Sequence, residues 1–301
     1  MIVTGKVSLL ATAIDMRWRL LTIGLVAVVV SVAYEWLNKT EISIQITPIT
    51  ALGVAIGLFL GFRCTVVWNR YWEARTLWGR LINASRTLAR QLATLLQSDD
   101  PTVSADFYRE MLRWHQAYVH AFRAHLRDDD PLKEASPYFP EAMTREMKTA
   151  VNLPAAILHR MGERLHDAWG KGMLTEFRLL PLDETMTEIT EIQGGCERIK
   201  NTPIPPAFTY VSHRMMQAYC CLIPFGLVSD LRWFTPAVTL LISFAFLTLD
   251  QISDLIEQPF STADNDLPLD AMTRTIDIDL LQRMGSEKVP PPMEPVDGVL
   301  L

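Results

Sequence analysis

Residues 51–63 read ALGVAIGLFLGFR, and no turn signal separates them from RYWEARTLWG at 70–79. A run this apolar is fit to span a membrane. Passing unbroken into a charged, aromatic-studded stretch, it describes a helix that leaves the bilayer while staying helical. Val54, Leu58 and Phe62 recur at i, i+4 and i+8 and form one narrow stripe. In a monomer such a stripe faces lipid or a neighbouring helix. Around a symmetry axis it closes into three stacked apolar rings, the sequence form of a hydrophobic pore constriction.

The rest of the chain is not a pure membrane bundle. Of its 301 residues 49% are hydrophobic and 21% charged, too charged for a bundle buried in lipid and too apolar for an ordinary soluble enzyme. Membrane spans joined to a sizeable water-exposed helical domain satisfy both figures. The net charge of −6 argues against nucleic acid, which selects a basic face. Cys64, Cys196, Cys220 and Cys221 have no paired spacing and read as small buried residues in a reducing setting. Arg17 and Arg19 precede the first apolar run, but it ends in Tyr34-Glu35-Trp36 without a small-x-small site, so no cleavable signal peptide is expected.

Four spans are expected, at 20–37, 48–68, 215–228 and 234–249. Crossing ~30 Å of hydrocarbon takes ~20 helical residues. The first two runs reach this; the last two are short singly and fit a hairpin joined by Ser229-Asp230-Leu231-Arg232. A chain with two spans and buried soluble helices is the alternative. Arg17, Arg19, Arg63, Arg70, Arg75 and Arg80 flank one side of the first two spans, and Arg198, Lys200 and Arg214 flank that side of the third. By the positive-inside rule both termini and the long middle segment are cytoplasmic. Trp18, Trp36, Trp68, Trp72 and Trp233 stand near span ends, as interfacial anchors do.

Between 75 and 200 the pattern is helical throughout. Leu77, Leu81, Ala84, Leu88 and Leu92 continue an amphipathic face from the second span, Ser98-Asp99-Asp100-Pro101 ends it and caps the next helix, and Arg127-Asp128-Asp129-Asp130-Pro131 ends that one. Further helices are expected near 140–151, 154–169 and 175–199, a break at Thr202-Pro203-Ile204-Pro205-Pro206, and an extended tail after Gly285. The division expected is 1–79 for the first two spans and the pore neck, 80–205 for the cytoplasmic domain, 206–258 for the last two spans, and 259–301 for a cytoplasmic C-terminal segment.

No enzyme signature stands out. His115, His120 and His125 are five apart, about 140° per step on a helix, and do not share a face. His159 and His166 share one at i+7 without a ligand partner of suitable spacing. There is no HExxH, Walker-type loop or GxSxG.

Leu60-Gly61-Phe62-Arg63, the 70–79 run, Cys196-Glu197-Arg198-Ile199, Thr202-Pro203-Ile204-Pro205 and Asn265-Asp266-Leu267-Pro268-Leu269-Asp270 follow one another in an order that resembles the bestrophin family, most closely its bacterial branch. The resemblance covers nearly the whole chain. It implies an all-α, multi-pass membrane protein with four transmembrane helices and a large cytoplasmic helical domain. Five copies would surround one pore that passes a hydrophobic neck and then a cytoplasmic aperture. It places the neck on Val54, Leu58 and Phe62, and the aperture on or next to Leu180. It also implies the bacterial inner membrane, monovalent ions and membrane lipid as partners beside the homo-pentamer, and no cofactor. Animal members carry a calcium clasp after the fourth span. Here Ala263 and Asn265 interrupt the acids, leaving Asp264 and Asp266 as candidate ligands. Ca²⁺ takes six or more oxygens, so no calcium gating is expected.

The ion is read from charge and aromaticity. Aromatic edges favour anions in a dry constriction, but Val54 and Leu58 are aliphatic. Glu184, Glu188 and Glu191 share a helical face where the cytoplasmic vestibule is expected, and rings of carboxylates concentrate cations. Arg63 lies about 100° off the stripe and is expected to face a neighbouring helix; Asp250, Asp254 and Glu257 share a face that suits a structural pair with it. The reading is therefore monovalent cation (Na⁺ or K⁺) permeation. A chloride-selective channel of the same architecture and a non-conducting membrane-anchored scaffold are the alternatives.

Overall fold

The computed structural model describes residue 1, residues 14–98 and residues 100–300. Its helices are α1 (Arg17–Glu35), α2 (Ile46–Leu95), α3 (Pro101–Arg127), α4 (Pro131–Ala135), α5 (Glu141–Met147), α6 (Leu153–Gly170), α7 (Glu176–Asn201), α8 (Pro206–Leu231), α9 (Thr235–Ile256) and α10 (Leu269–Arg283). Among the described residues there is no strand, only an isolated bridge between Val296 and Val299 in the tail. The fold is all-α, as expected.

Helix boundaries follow the local chemistry. Asp100 caps α3 by accepting from the Thr102 N–H, with Pro101 at the first helical position, and Asp130 caps α4 through the N–H groups of Leu132 and Lys133. α2 runs 50 residues without a break, spanning both the second apolar run and the charged stretch behind it. The apolar run at 215–228 lies inside a longer helix that starts at Pro206; Ser212, His213 and Arg214 lower the hydropathy of its first part, which is still helical. Pro205 and Pro206 start it where the preceding break was expected.

The chain divides into two compact units, and the divide falls inside α2 between Tyr71 and Trp72. The apolar unit contains the described residues from 14 to 71 and Pro203–Glu257, while Met1 belongs to the other unit. Among the described residues three helical stretches, Arg17–Glu35, Thr40–Leu95 and Pro206–Ile256, are long and apolar enough to cross a membrane. The last of these contains both α8 and α9, joined through the tight turn Arg232–Phe234, where Arg232 takes a φ of 48°. The core of this unit is Ile23, Ile49, Ile56, Leu60, Met216, Tyr219, Ile223 and Leu247, all nearly excluded from solvent. Two glycines set its packing. A Cβ on Gly53 would lie 2.1 Å from the Tyr219 hydroxyl, and one on Gly226 would lie 2.6 Å from Ile49 Cδ1. The four cysteines are free; Cys196 and Cys220 are buried, and Cys64 and Cys221 half-buried.

The second unit contains Trp72–Thr202 and the residues from Gln258 onward. Leu77, Leu81, Ala84, Leu88 and Leu92 are all buried, as the amphipathic pattern requires. α3 runs through its core, where Phe122 stacks on Trp78 at 5.6 Å between ring centroids and on Tyr118 at 5.8 Å.

Candidate pore stripe and the ion network behind it

The front of α2 has two faces of opposite character. Ile49, Gly53, Ile56, Leu60, Arg63 and Val67 are buried within the apolar unit. Val54 and Leu58 are each 61% exposed and Phe62 is 70% exposed, so the three apolar side chains point away from the core of their own unit. Their neighbours on that face, Ala51, Ala55, Gly61 and Thr65, are small and also exposed, which leaves the three larger side chains as ridges.

Directly behind the stripe sits a buried ion network. Arg63 Nη1 donates to Asp250 Oδ1 at 2.5 Å, and Nη2 donates to Asp254 Oδ1 at 2.5 Å. Glu257 Oε2 lies 3.8 Å from Nη2. Arg63 thus faces the α9 acids, as their shared helical face suggests. Three further residues complete the network and have no signature in the sequence. His213 Nε2 lies 3.0 Å from Asp254 Oδ2 and 3.3 Å from Asp250 Oδ2, Ser212 Oγ donates to Asp250 Oδ1 at 3.2 Å, and Arg19 Nη1 stands 3.6 Å from Asp250 Oδ2. These partners lie on α1 and α8, tens of residues or more from α9 in sequence, so no local periodicity points to them. Three carboxylates face two guanidinium groups, with the His213 ring and the Ser212 hydroxyl beside them.

The ligand atoms of His213, Asp250 and Asp254 lie within 4.8 Å of one another, the one such trio among the described residues. Both carboxylates already give an oxygen to Arg63, and the arrangement is an ion-pair network first. Asp264 and Asp266 belong to no group of three such ligands among the described residues. Asp264 is exposed; Asp266 is buried and accepts the Ala263 N–H at 2.8 Å, closing a turn. Burial pushes the Asp266 carboxyl up from its ordinary range.

Leu180 is the fifth residue of α7 and is 60% exposed, near Phe177 at 85%. Pro181 follows it inside the helix. Its carbonyl accepts from Gln91 Nε2 at 3.0 Å, and Arg178 Nη1 donates to the Leu95 carbonyl at 3.1 Å. Glu184 and Glu191 are exposed on the same helix, whereas Glu188 is held by Arg80 at 3.2 Å. That pairing joins residues 108 apart, and the helical face alone gives no sign of it.

Residues 8–282 match the family model described as bacterial/fungal bestrophin protein. The voltage-dependent anion channel-forming protein YneE of Escherichia coli K12 is 39% identical over 273 residues, 90% of this chain and 88% of that one. Its namesake in Salmonella typhi is 36% identical over 272 residues, with the same coverage of 90% and 88%. The crystal structure of a bacterial bestrophin homologue from Klebsiella pneumoniae superposes with a TM-score of 0.84 at 34% identity, covering 91% of this chain and all of that one. On this evidence the chain belongs to the bacterial branch of the bestrophin family.

Proposed function

We propose that the protein is an ion channel of the bacterial inner membrane, assembled as a pentamer around one axial pore. α1, the front of α2, α8 and α9 form its four membrane spans in each copy, with both termini and the unit built on α3 and α7 in the cytoplasm. The neck of the pore is Val54, Leu58 and Phe62, and its cytoplasmic aperture is formed by Leu180. The expected partition at 1–79, 80–205, 206–258 and 259–301 belongs to the same proposal, with monovalent ions and membrane lipid as the partners.

One observation carries the reading. Three large apolar side chains project from α2 on the side away from their own unit's core, a placement that is costly unless lipid, another chain or a dewetted constriction meets them. Relatives named as channel-forming proteins favour the constriction.

For the ion, we infer monovalent cations, Na⁺ or K⁺. An aliphatic Val54 and Leu58 offer no electropositive edges to an anion, and Glu184 and Glu191 present exposed carboxylates on the helix that bears Leu180. The second reading, an anion channel, is favoured by the names of the Escherichia and Salmonella relatives. A planar-bilayer recording under a KCl gradient decides. Reversal near the potassium potential supports cation permeation, reversal near the chloride potential overturns it, and absence of current from a pentameric preparation leaves a scaffold.

A further inference from the structure

The unit built on α3 contains a cleft of about 1400 Å³ that the channel reading does not use. Its walls come from α3, α6, α10 and the 137–140 segment, and Ser286 and Pro290 border its rim. Five cationic side chains line it against three carboxylates. Each carboxylate is already engaged. Asp106 is held by Arg109 at 3.5 Å, and Glu110 by Arg164 at 2.8 Å. Asp277 accepts from Gln116 Nε2 at 2.9 Å and lies 2.9 Å from His120 Nε2. Arg113, Arg274 and Lys171 are left with no carboxylate partner among the described residues.

A hydroxyl joins them. His120 Nε2 is shared between Asp277 Oδ2 at 2.9 Å and Tyr138 Oη at 2.8 Å. A single N–H serves the anionic acceptor first, so the Tyr138 hydrogen is free to turn into the cleft. Burial pushes the Tyr138 hydroxyl well above its ordinary range and keeps that hydrogen in place. Three unpaired cations and a neutral donor around a large recess are a set of donors without an acceptor.

We propose that this cleft binds a small phosphate-bearing anion, its charge met by Arg113, Arg274, Lys171 and the Tyr138 hydroxyl. The guanidinium groups supply paired donors matched to phosphate oxygens. The volume exceeds that of a typical small-molecule site, ~300–1,000 Å³, so a free orthophosphate would leave most of it to solvent. The site is separate from the proposed pore and its occupancy is read without any current.

The test is calorimetric titration of the full chain in detergent with inorganic pyrophosphate at low ionic strength. Saturable binding of one pyrophosphate per chain is expected, weakening at least tenfold in Arg113→Gln/Arg274→Gln and severalfold in Lys171→Gln. Lys171 is exposed, so its variant folds normally and decides the matter if the double variant does not. Absence of binding to the wild-type chain overturns the proposal, as does undiminished affinity in the well-folded variants. So does a structure of the assembled oligomer in which an acidic segment of a neighbouring copy occupies these cations.

Discussion

Arg63 and Asp250 meet at 2.5 Å with both side chains fully excluded from solvent. Arg63 adjoins Phe62 in the chain, so the residue that carries the last apolar ridge is anchored to the bundle through its neighbour's guanidinium. A buried ion of this kind tolerates the loss of its partner poorly, because the survivor stays desolvated and uncompensated.

Arg63→Gln or Asp250→Asn alone is therefore expected to destabilise the protein by about 3–5 kcal/mol. The double variant should lose less than the sum of the two. Thermal unfolding of the four proteins of the cycle in one detergent measures the coupling; strict additivity would mean that the pair contributes nothing as a pair.

Val54→Ala, Leu58→Ala and Phe62→Ala combined should raise single-channel conductance severalfold and leave thermal stability within about 1 kcal/mol of wild type, because the three side chains are largely exposed in their own unit. Bilayer recordings alongside thermal unfolding separate this from a packing role. A large fall in stability with unchanged conductance would place the stripe against another helix.

Gly53→Ala would put a methyl group 2.1 Å from the Tyr219 hydroxyl. Tyr219 also packs edge-on against Phe246 at 5.5 Å between centroids, which limits its retreat. A loss of about 1–3 kcal/mol is expected, partly restored by Tyr219→Leu. Equal unfolding midpoints for Gly53→Ala and wild type would show that the ring moves freely.

His115 gives the protein an acid limit. Ser85 Oγ donates to the Leu81 carbonyl at 2.7 Å and so accepts from His115 Nε2 at 2.7 Å, leaving a buried Nδ1 with no partner. Protonation would place an N–H there with nothing to receive it, and burial holds the imidazole down at about 4. The unfolded chain takes up the proton near pH 6.5 and the folded one only near 4. Stability contributed by the neutral ring is complete above pH 6.5 and is lost as pH falls toward 4, by roughly 3 kcal/mol in all. Unfolding midpoints measured from pH 7 to pH 4 should decline steeply for wild type and less steeply for His115→Gln.

Arg80 is expected to mute the acidic face of α7 through its 3.2 Å contact with Glu188. Arg80→Gln should move the reversal potential toward the cation limit, and Glu188→Gln, which leaves the Arg80 charge unpaired, should move it the opposite way. A shift of opposite sign in Arg80→Gln would detach these carboxylates from the ion path.

What was legible in the sequence was legible through local periodicity. The Val54, Leu58 and Phe62 ridge and the buried Leu77 to Leu92 face follow from residues three and four apart on a helix, and the Asp100 and Asp130 caps from short-range hydrogen bonding. The same logic turned Arg63 toward Asp250 and Asp254. Partners chosen across helices leave no such trace. His213 and Arg19 joining the network, and Arg80 reaching Glu188, depend on how helices lie against one another. Hydropathy alone marks only the apolar part of α8, since the segment from Pro206 is helical before it is apolar.

Pro181 has no N–H to return to the Phe177 carbonyl, so the ladder of α7 lacks a rung just where Leu180 stands. The turn before it keeps the Arg178 and Leu179 N–H groups on the Thr175 carbonyl, and two side-chain ties are added, Gln91 to the Pro181 carbonyl and Arg178 to the Leu95 carbonyl. One rung short near its start, the helix is expected to open there first, with amide hydrogens at 178–180 exchanging with deuterium before those at 185–199.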